Sequence, residues 1–388
     1  MRISKEIKID SLSRIKLSLL FFLFISKNTI IDIFINLFFK KNKSPKKILI
    51  FRIGSIGDGI CAIPAIMNIK ANFPNSHIDL LTSTGKVKGL VSLENLLSPQ
   101  YYDSIINYDD KSWFDLTHIL ISNRYNLVIH LTQQGTGLFK SLRDIFYFKF
   151  IIRVKSAFGW GVSTINIFKK TQNKFVIFDS ERTRLNKILV HQYGLTLFTN
   201  HKFSFPITQN DKIFIEELFL ETIKEKKLSH IAIVVGANRS SNRWPILYFR
   251  EVIKEFSSSY NIIIIGGKED NLLANSIIDL PNTYSFCGKT TPIQSGLVLQ
   301  KCLLTISNDT GPMHLSYAFG TPVVAIFSNR DYPYLWYPPN NNFNFVHRSK
   351  NIKCAICLSE VCFNNNLCMT NIKPKEVIGS VYNLLKFL

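Results

Sequence analysis

Residues 51–64, FRIGSIGDGICAIP, mark the point where one periodicity stops and another starts. Upstream, KKILIFRI (46–53) is an almost unbroken apolar run, the pattern of a strand buried on both faces of a parallel sheet. Downstream, CAIPAIMNIKANF (61–73) repeats its apolar residues at helical spacing. Gly54, Gly57 and Gly59 lie between them and read as a glycine turn, with Asp58 at the helix entrance. Glycines there let backbone and ligand approach closely. A negative charge beside them repels phosphate, so the turn is a poor phosphate cradle. Two roles for Asp58 stay open: a general base that takes a proton from a substrate hydroxyl, and a helix cap.

The spacing also argues against a dinucleotide site. That fingerprint is G-x-G-x-x-G, followed about 20 residues later by an acidic ribose ligand. Here the glycines run G-x-x-G-x-G, and Asp79 falls in the middle of the next strand.

Outward from this point, strand-like and helix-like segments alternate. HIDLLT (77–82), SIINYD (104–109) and YNLVIHL (125–131) read as strands, with SWFDLTHILISN among the helices. A second series follows a polar stretch near 195–228, with a linker read near 200–228: HIAIVVGA (230–237), YNIIIIGG (260–267), TYSFCG (283–288), CLLTISND (302–309) and TPVVAIF (321–327). Helical patterns separate these strands, and 375–388 reads as a last helix. Such alternation predicts two doubly wound α/β domains, with ligands bound in a cleft between them.

Composition fits this. A chain of 388 residues with 46% hydrophobic content supports two domains with real cores. Its 47 Lys+Arg against 27 Asp+Glu give a net charge of +20, which favours anionic partners. No RNA-binding aromatic motif, zinc-finger spacing or basic recognition helix is present, so nucleic acid is not an expected partner. Seven cysteines do not make a disulfide scaffold in a chain of this size.

Three stretches of the second half fall at predicted strand ends, on one rim of the sheet. In ISNDTGPMHLSYAFGTPVVAIF (306–327), Asn308-Asp309 ends a strand, and Thr310-Gly311-Pro312 opens a helix bearing His314. A helix start of this kind suits a diphosphate, with Asp309 left to bind sugar hydroxyls. The alternative is an ordinary capped helix with His314 in the core. In VVGANRSSNRWPILYF (234–249), Arg239 and Arg243 can reach phosphate oxygens. In GGKEDNLLA (266–274), Glu269 and Asp270 follow a glycine pair.

Taken together, RIGSIGDGICAIPAI, GANRSSNRWP, GGKED and SNDTGPMHLSYAFGTPVVAIF resemble the glycosyltransferase family 9 heptosyltransferases, which build the lipopolysaccharide core. The resemblance covers most of 46–388. It implies a GT-B fold, with two Rossmann-like domains facing a central cleft, and inverting transfer that needs no metal or other cofactor. Asp58 is then the general base, on an acceptor-side loop with Gly54, Gly57 and Gly59. Asn242, Arg243, Glu269, Asp309, Thr310, Gly311 and His314 belong to the donor site. The expected partners are a nucleotide sugar, such as ADP-heptose, and a lipid-linked glycan. One departure stands out: where the family often has a lysine two residues before Trp-Pro, this chain has Asn242, followed by Arg243. That substitution is the only feature favouring the alternative, a non-catalytic nucleotide-sugar-binding protein.

The expected domains are a leader (1–45), an acceptor domain (46–205), a donor domain (206–374) and a C-terminal helix (375–388). LSLLFFLFI (17–25) is too short to span a bilayer. The following TIIDIFINLFFKK carries a polar stripe of Thr29, Asp32, Asn36 and Lys40 on an otherwise apolar helix, flanked by lysines. It reads as an anchor to an anionic membrane surface, with packing on its own domain as the alternative. A cytoplasmic enzyme at the inner face of the plasma membrane is expected. Cys354, Cys357, Cys362 and Cys368 are spaced C-x₂-C-x₄-C-x₅-C, compatible with a structural zinc, reduced thiols or disulfides.

Overall fold

The computed structural model describes residues 11–86, 90–131, 136–160, 179–198, 202–350 and 352–388. Side chains of 11–22, 24 and 25 are outside that description, as are residues 1–10, so most of the apolar run at 17–25 is not characterised. The chain divides into two compact units, Met1–Pro206 and Ile207–Leu388.

Unit 1 begins with α1 (Ser11–Phe38) and then builds a parallel sheet from β1 (Lys47–Phe51), β2 (His77–Thr82), β3 (Ser104–Asn107), β4 (Leu127–His130) and β5 (Ala157–Phe158). The strand order is β3-β2-β1-β4-β5. Ile48 of β1 pairs with Ile78 on one side and Leu127 on the other, and Ile48, Leu49 and Ile50 are wholly buried. That double-sided burial is why the strand reads as an unbroken apolar run. The helices are α2 (Ile56–Asn72), α3 (Trp113–Ser122), α4 (Leu138–Phe146), which continues into a π-helical turn (Tyr147–Ile151), and α5 (Glu181–Ile188).

The glycine stretch is tighter than its sequence suggests. Helix α2 starts at Ile56, so Gly57 and Gly59 belong to its first turn and only Gly54 precedes it. None of the three has positive φ. Gly59 is needed for packing instead: a Cβ there would lie 2.6 Å from Leu96 Cδ1.

Helix α1 is not a detached leader. Ile31, Ile35 and Phe39 are buried in the core of unit 1 with Leu49, Ile145, Phe148 and Trp160. Phe39 stacks on Trp160 at 6.0 Å, and Asp32 accepts a 2.9 Å hydrogen bond from Gln192. The predicted polar stripe is exposed at Thr29, Asn36 and Lys40 but half-buried at Asp32, which Gln192 holds. It runs between two apolar faces, one packed inward and one carrying exposed Ile30, Ile33 and Leu37. Over its second half the helix is therefore a packed element, the alternative reading, with its outer side left exposed. Among the described residues, no helix is long and apolar enough to cross a membrane.

The stretch read as a linker contains α6 (Gln209–Thr222), capped by Thr208 with Asp211 as its reciprocal partner. Unit 2 then forms a parallel sheet ordered β11-β10-β9-β6-β7-β8. Its strands are β6 (His230–Val234), β7 (Asn261–Ile264), β8 (Thr283–Ser285), β9 (Leu304–Asn308), β10 (Val323–Phe327) and β11 (Asn344–Arg348). Helices α7 (Ile246–Phe256), α8 (Asn271–Asn275), α9 (Pro292–Gln300), α10 (Gly311–Ala318), α11 (Leu367–Thr370) and α12 (Pro374–Leu385) complete it. Val377, Val381 and Leu384 bury α12 in the same core as β6, β7 and α7, so the C-terminal helix is part of unit 2.

Candidate functional site

In unit 1, Asp58 is the third residue of α2, with Ser55 as the residue before the helix. Asp58 Oδ2 accepts from the Ser55 N–H at 3.0 Å and the Ser55 hydroxyl at 2.9 Å. Its other oxygen, Oδ1, accepts from Arg52 Nη2 at 3.2 Å. The capping role is thus occupied, and the carboxylate stays partly exposed, unlike the arginine that holds it.

Arg52, just past the end of β1, is buried, and its position depends on two further acceptors. Nη1 donates to the Leu131 carbonyl at 2.8 Å and to Glu181 Oε1 at 3.3 Å. Glu181 is buried at the start of α5 and accepts from Arg184 at 2.6 and 2.7 Å. Burial alone raises a carboxyl pKa, but the charges and hydrogen bonds of Arg184 and then Arg52 hold Glu181 below the usual glutamate value. This places a fixed guanidinium behind Asp58, keeping one carboxylate oxygen oriented while α2 holds the other.

In unit 2, the ends of β6, β9 and β10 meet through side-chain amides. Asn308, the last residue of β9, donates to the Val235 carbonyl at 2.8 Å and accepts from the Trp244 N–H at 3.0 Å. Buried Asn242 donates to Asp309 Oδ2 at 3.3 Å and accepts from the Ser328 hydroxyl at 2.7 Å. The residue that departs from the family pattern is therefore wired directly to Asp309. Burial and the neighbouring Asp331 push the Asp309 carboxyl up to about 7, against the opposing pull of Arg239, Arg348 and Arg330. Arg330 itself binds Asp331 at 2.7 Å and Glu360 at 3.1 Å, and Glu360 holds Arg239 at 2.9 Å. Thr310 and Gly311 then open α10, whose first turn presents the positive end of a helix dipole. A carboxyl, several guanidiniums and a helix start in one place suit a ligand with both hydroxyls and a diphosphate.

The remaining predicted residues separate into two kinds. Glu269 is exposed after β7, whereas its neighbour Asp270 is buried and accepts from the Gly267 N–H at 3.0 Å. Asp270 fills the space over Gly236, where a Cβ would come within 2.0 Å of its Oδ1. Arg243 donates to the Ala237 carbonyl at 2.9 Å. His314 is buried, 3.1 Å from the Tyr317 hydroxyl and edge-on to Trp336, as the core alternative describes. None of the four clustered cysteines is joined in a disulfide: Cys354 and Cys357 are exposed, Cys362 is half-buried and Cys368 is buried. Among the described residues, no group of three or more His, Cys, Asp or Glu is placed to hold a metal ion.

Sequence reasoning missed Arg52, Glu181, Arg330 and Arg348. Arg330 was within reach of the rule applied elsewhere, because SNRD (328–331) directly follows β10. Arg52 was signalled by a lone charge inside an apolar run. Glu181 had no local signal at all.

The family model described as glycosyltransferase family 9 (heptosyltransferase) matches residues 113–368. A lipooligosaccharide heptosyltransferase 2 of Campylobacter jejuni is 27% identical over 347 residues, covering 85% of this chain and 96% of that protein. A solved glycosyl transferase family 9 structure from Veillonella parvula aligns with a TM-score of 0.68 at 18% identity, over 90% of this chain and 99% of that one. The E. coli ADP-heptose LPS heptosyltransferase II aligns with a TM-score of 0.59 at 16% identity, over 88% and 99% of the two chains. The structural likenesses establish a GT-B-like fold of two parallel α/β sheets.

Proposed function

The chain belongs to glycosyltransferase family 9, the heptosyltransferases, and on that premise we propose that it moves a heptose from ADP-heptose to a lipopolysaccharide-core or similar glycan acceptor, with inversion at the anomeric carbon. The observation that carries the donor side is the Asp309 cluster, in which a carboxyl suited to sugar hydroxyls lies among arginines suited to a diphosphate. Asn242, the departure that had supported a non-catalytic protein, supports this reading through its bond to Asp309.

In the reaction, the acceptor oxygen forms the new bond to the anomeric carbon and its proton passes to Asp58. The bond to the diphosphate breaks, and ADP leaves with the electron pair. Charge developing on the departing diphosphate is stabilised by the α10 helix start and the neighbouring arginines. No step needs a metal from the protein. Residues 46–205 serve the acceptor and 206–374 the donor. With a lipid-linked acceptor, the enzyme works in the cytoplasm as a peripheral protein on the inner face of the plasma membrane.

The test is transfer from ADP-heptose to a soluble core fragment, compared between wild type and Asp58→Asn. The variant keeps size and capping ability but not basicity. Turnover should fall on the order of 10²-fold or more, with the variant still folded at the assay temperature although it loses the ion pair to Arg52. Near-normal turnover in the variant would remove Asp58 as the base. Absence of transfer by the wild type from ADP-heptose, with transfer from another nucleotide sugar, would replace the donor.

A further inference from the structure

We propose that one face of unit 1, built from the outer side of α1, from α4 and from the π-helical turn, docks on an anionic lipid bilayer. This rests on the peripheral-membrane part of the reading above and moves the contact from a leader to a composite surface. Leu37 on α1 is 72% exposed, Phe139 on α4 is 87% exposed and Phe150 in the π-helical turn is 55% exposed. These are not scattered residues. Phe139, Phe146 and Phe150 recur at spacings of seven and four and so share a face. Phe146 stacks on Phe150 at 5.6 Å, and Phe38 of α1 lies 5.7 Å from Phe146 and 5.5 Å from Phe150. Phe34 joins the same cluster, 5.9 Å from Phe146. Lys149 donates to the Phe38 carbonyl, fastening the π-helical turn to the end of α1.

An apolar surface of this kind on a folded unit marks an interaction site. Charge selects the partner. Exposed Lys40, Lys41 and Lys43 follow the α1 edge, and exposed Lys140 and Arg153 border the α4 side. The two acidic residues on these segments are engaged internally: Asp32 with Gln192, and Asp144 with Arg143 at 2.6 Å. Aromatic side chains ringed by basic ones fit the interface of an anionic membrane, where rings settle at headgroup depth and nearby cations are drawn to the surface charge. A second copy of this chain fits worse, because a symmetric contact would set basic rim against basic rim.

The test is flotation of the full chain with vesicles of mixed phosphatidylglycerol and phosphatidylcholine, at low and high salt, and with phosphatidylcholine alone. Two variants carry the test: Phe139→Ser with Phe150→Ser, and Lys140→Glu with Arg153→Glu. All four side chains are exposed and none belongs to the proposed donor or acceptor machinery, so transfer to a soluble acceptor should stay at wild-type levels, with folding of each variant checked by its melting temperature. Wild type should bind the anionic vesicles at low salt, and each double variant should bind at least about tenfold more weakly. If wild type binds and both variants bind equally well, the membrane reading survives and this face is wrong. If wild type binds no vesicles, both fail. Equal binding to phosphatidylcholine alone overturns the anionic partner. Self-association abolished by the Phe variant, without vesicle binding, would make the face a contact between copies and overturn the proposal. The transfer reading stands or falls separately, on wild-type activity with the soluble acceptor.

Discussion

Asp309 carries opposing influences within one residue. Its carboxyl is drawn up to about 7 from an ordinary value of 3.8, with burial the largest cause and Asp331 the next. The folded chain therefore holds a proton on Asp309 over a pH range in which the unfolded chain has released it. Where the folded state binds more protons, stability falls as pH rises. The loss should run from about pH 4 to about pH 7 and then level off, because above both values each state is deprotonated. Asp309→Asn keeps the shape and an acceptor for Asn242 but cannot titrate. Melting temperatures of wild type and variant, without ligand, should diverge across this window, with the variant the more stable at pH 8. Parallel curves would show that Asp309 titrates in its ordinary range. The same residue is proposed to meet the hydroxyls of the donor sugar, so its protonation state bears on donor affinity as well as stability.

At the scale of elements, the junction of β1 and α2 depends on α5, which enters far along the chain. Arg52 and Glu181 are 129 residues apart, and both are buried. Glu181 is the only carboxylate that neutralises Arg184 and Arg52 together in the hydrogen bonds described. Glu181→Gln keeps the volume but leaves two guanidiniums close together without that charge. Removing one partner of a buried ion pair typically costs about 3–5 kcal/mol. Denaturant unfolding should therefore show unit 1 destabilised by about 3 kcal/mol, with transfer activity lowered as Asp58 loses its fixed neighbour. The wild-type contribution has a definite pH sign. Glu181 is held below its ordinary value of 4.5, so its stabilisation is complete above that value and lost as pH falls through the folded one. A variant within about 0.5 kcal/mol of wild type would show that the network is dispensable.

Across the whole molecule, what was legible in the sequence was local. The buried strands β1, β6, β9 and β10 announce themselves as apolar runs, and Asn308-Asp309-Thr310 lies at a strand end where parallel sheets place ligands. What was not legible depended on distant partners. Gly59 is required by Leu96, Arg52 by Glu181, and Arg348 lies on β11, whose half-buried edge pattern does not stand out. The leader is the largest instance. Its lysines and polar stripe suggested a detachable anchor, yet the inner face of α1 completes the core around Leu49 and Trp160. Burying a side chain such as Ile or Phe is worth about 1.5–3 kcal/mol, so Ile31, Ile35 and Phe39 together contribute upwards of about 4 kcal/mol. A domain has only about 5–15 kcal/mol in total. Deleting residues 1–44 should therefore lower the melting temperature of unit 1 sharply or prevent its folding, rather than release an intact enzyme from membranes. Ile35→Ala gives the milder form of the same test, with an expected loss of about 2–4 kcal/mol. If the truncated chain melts like the full one and transfers heptose normally, α1 contributes nothing to the core and the detachable anchor is restored.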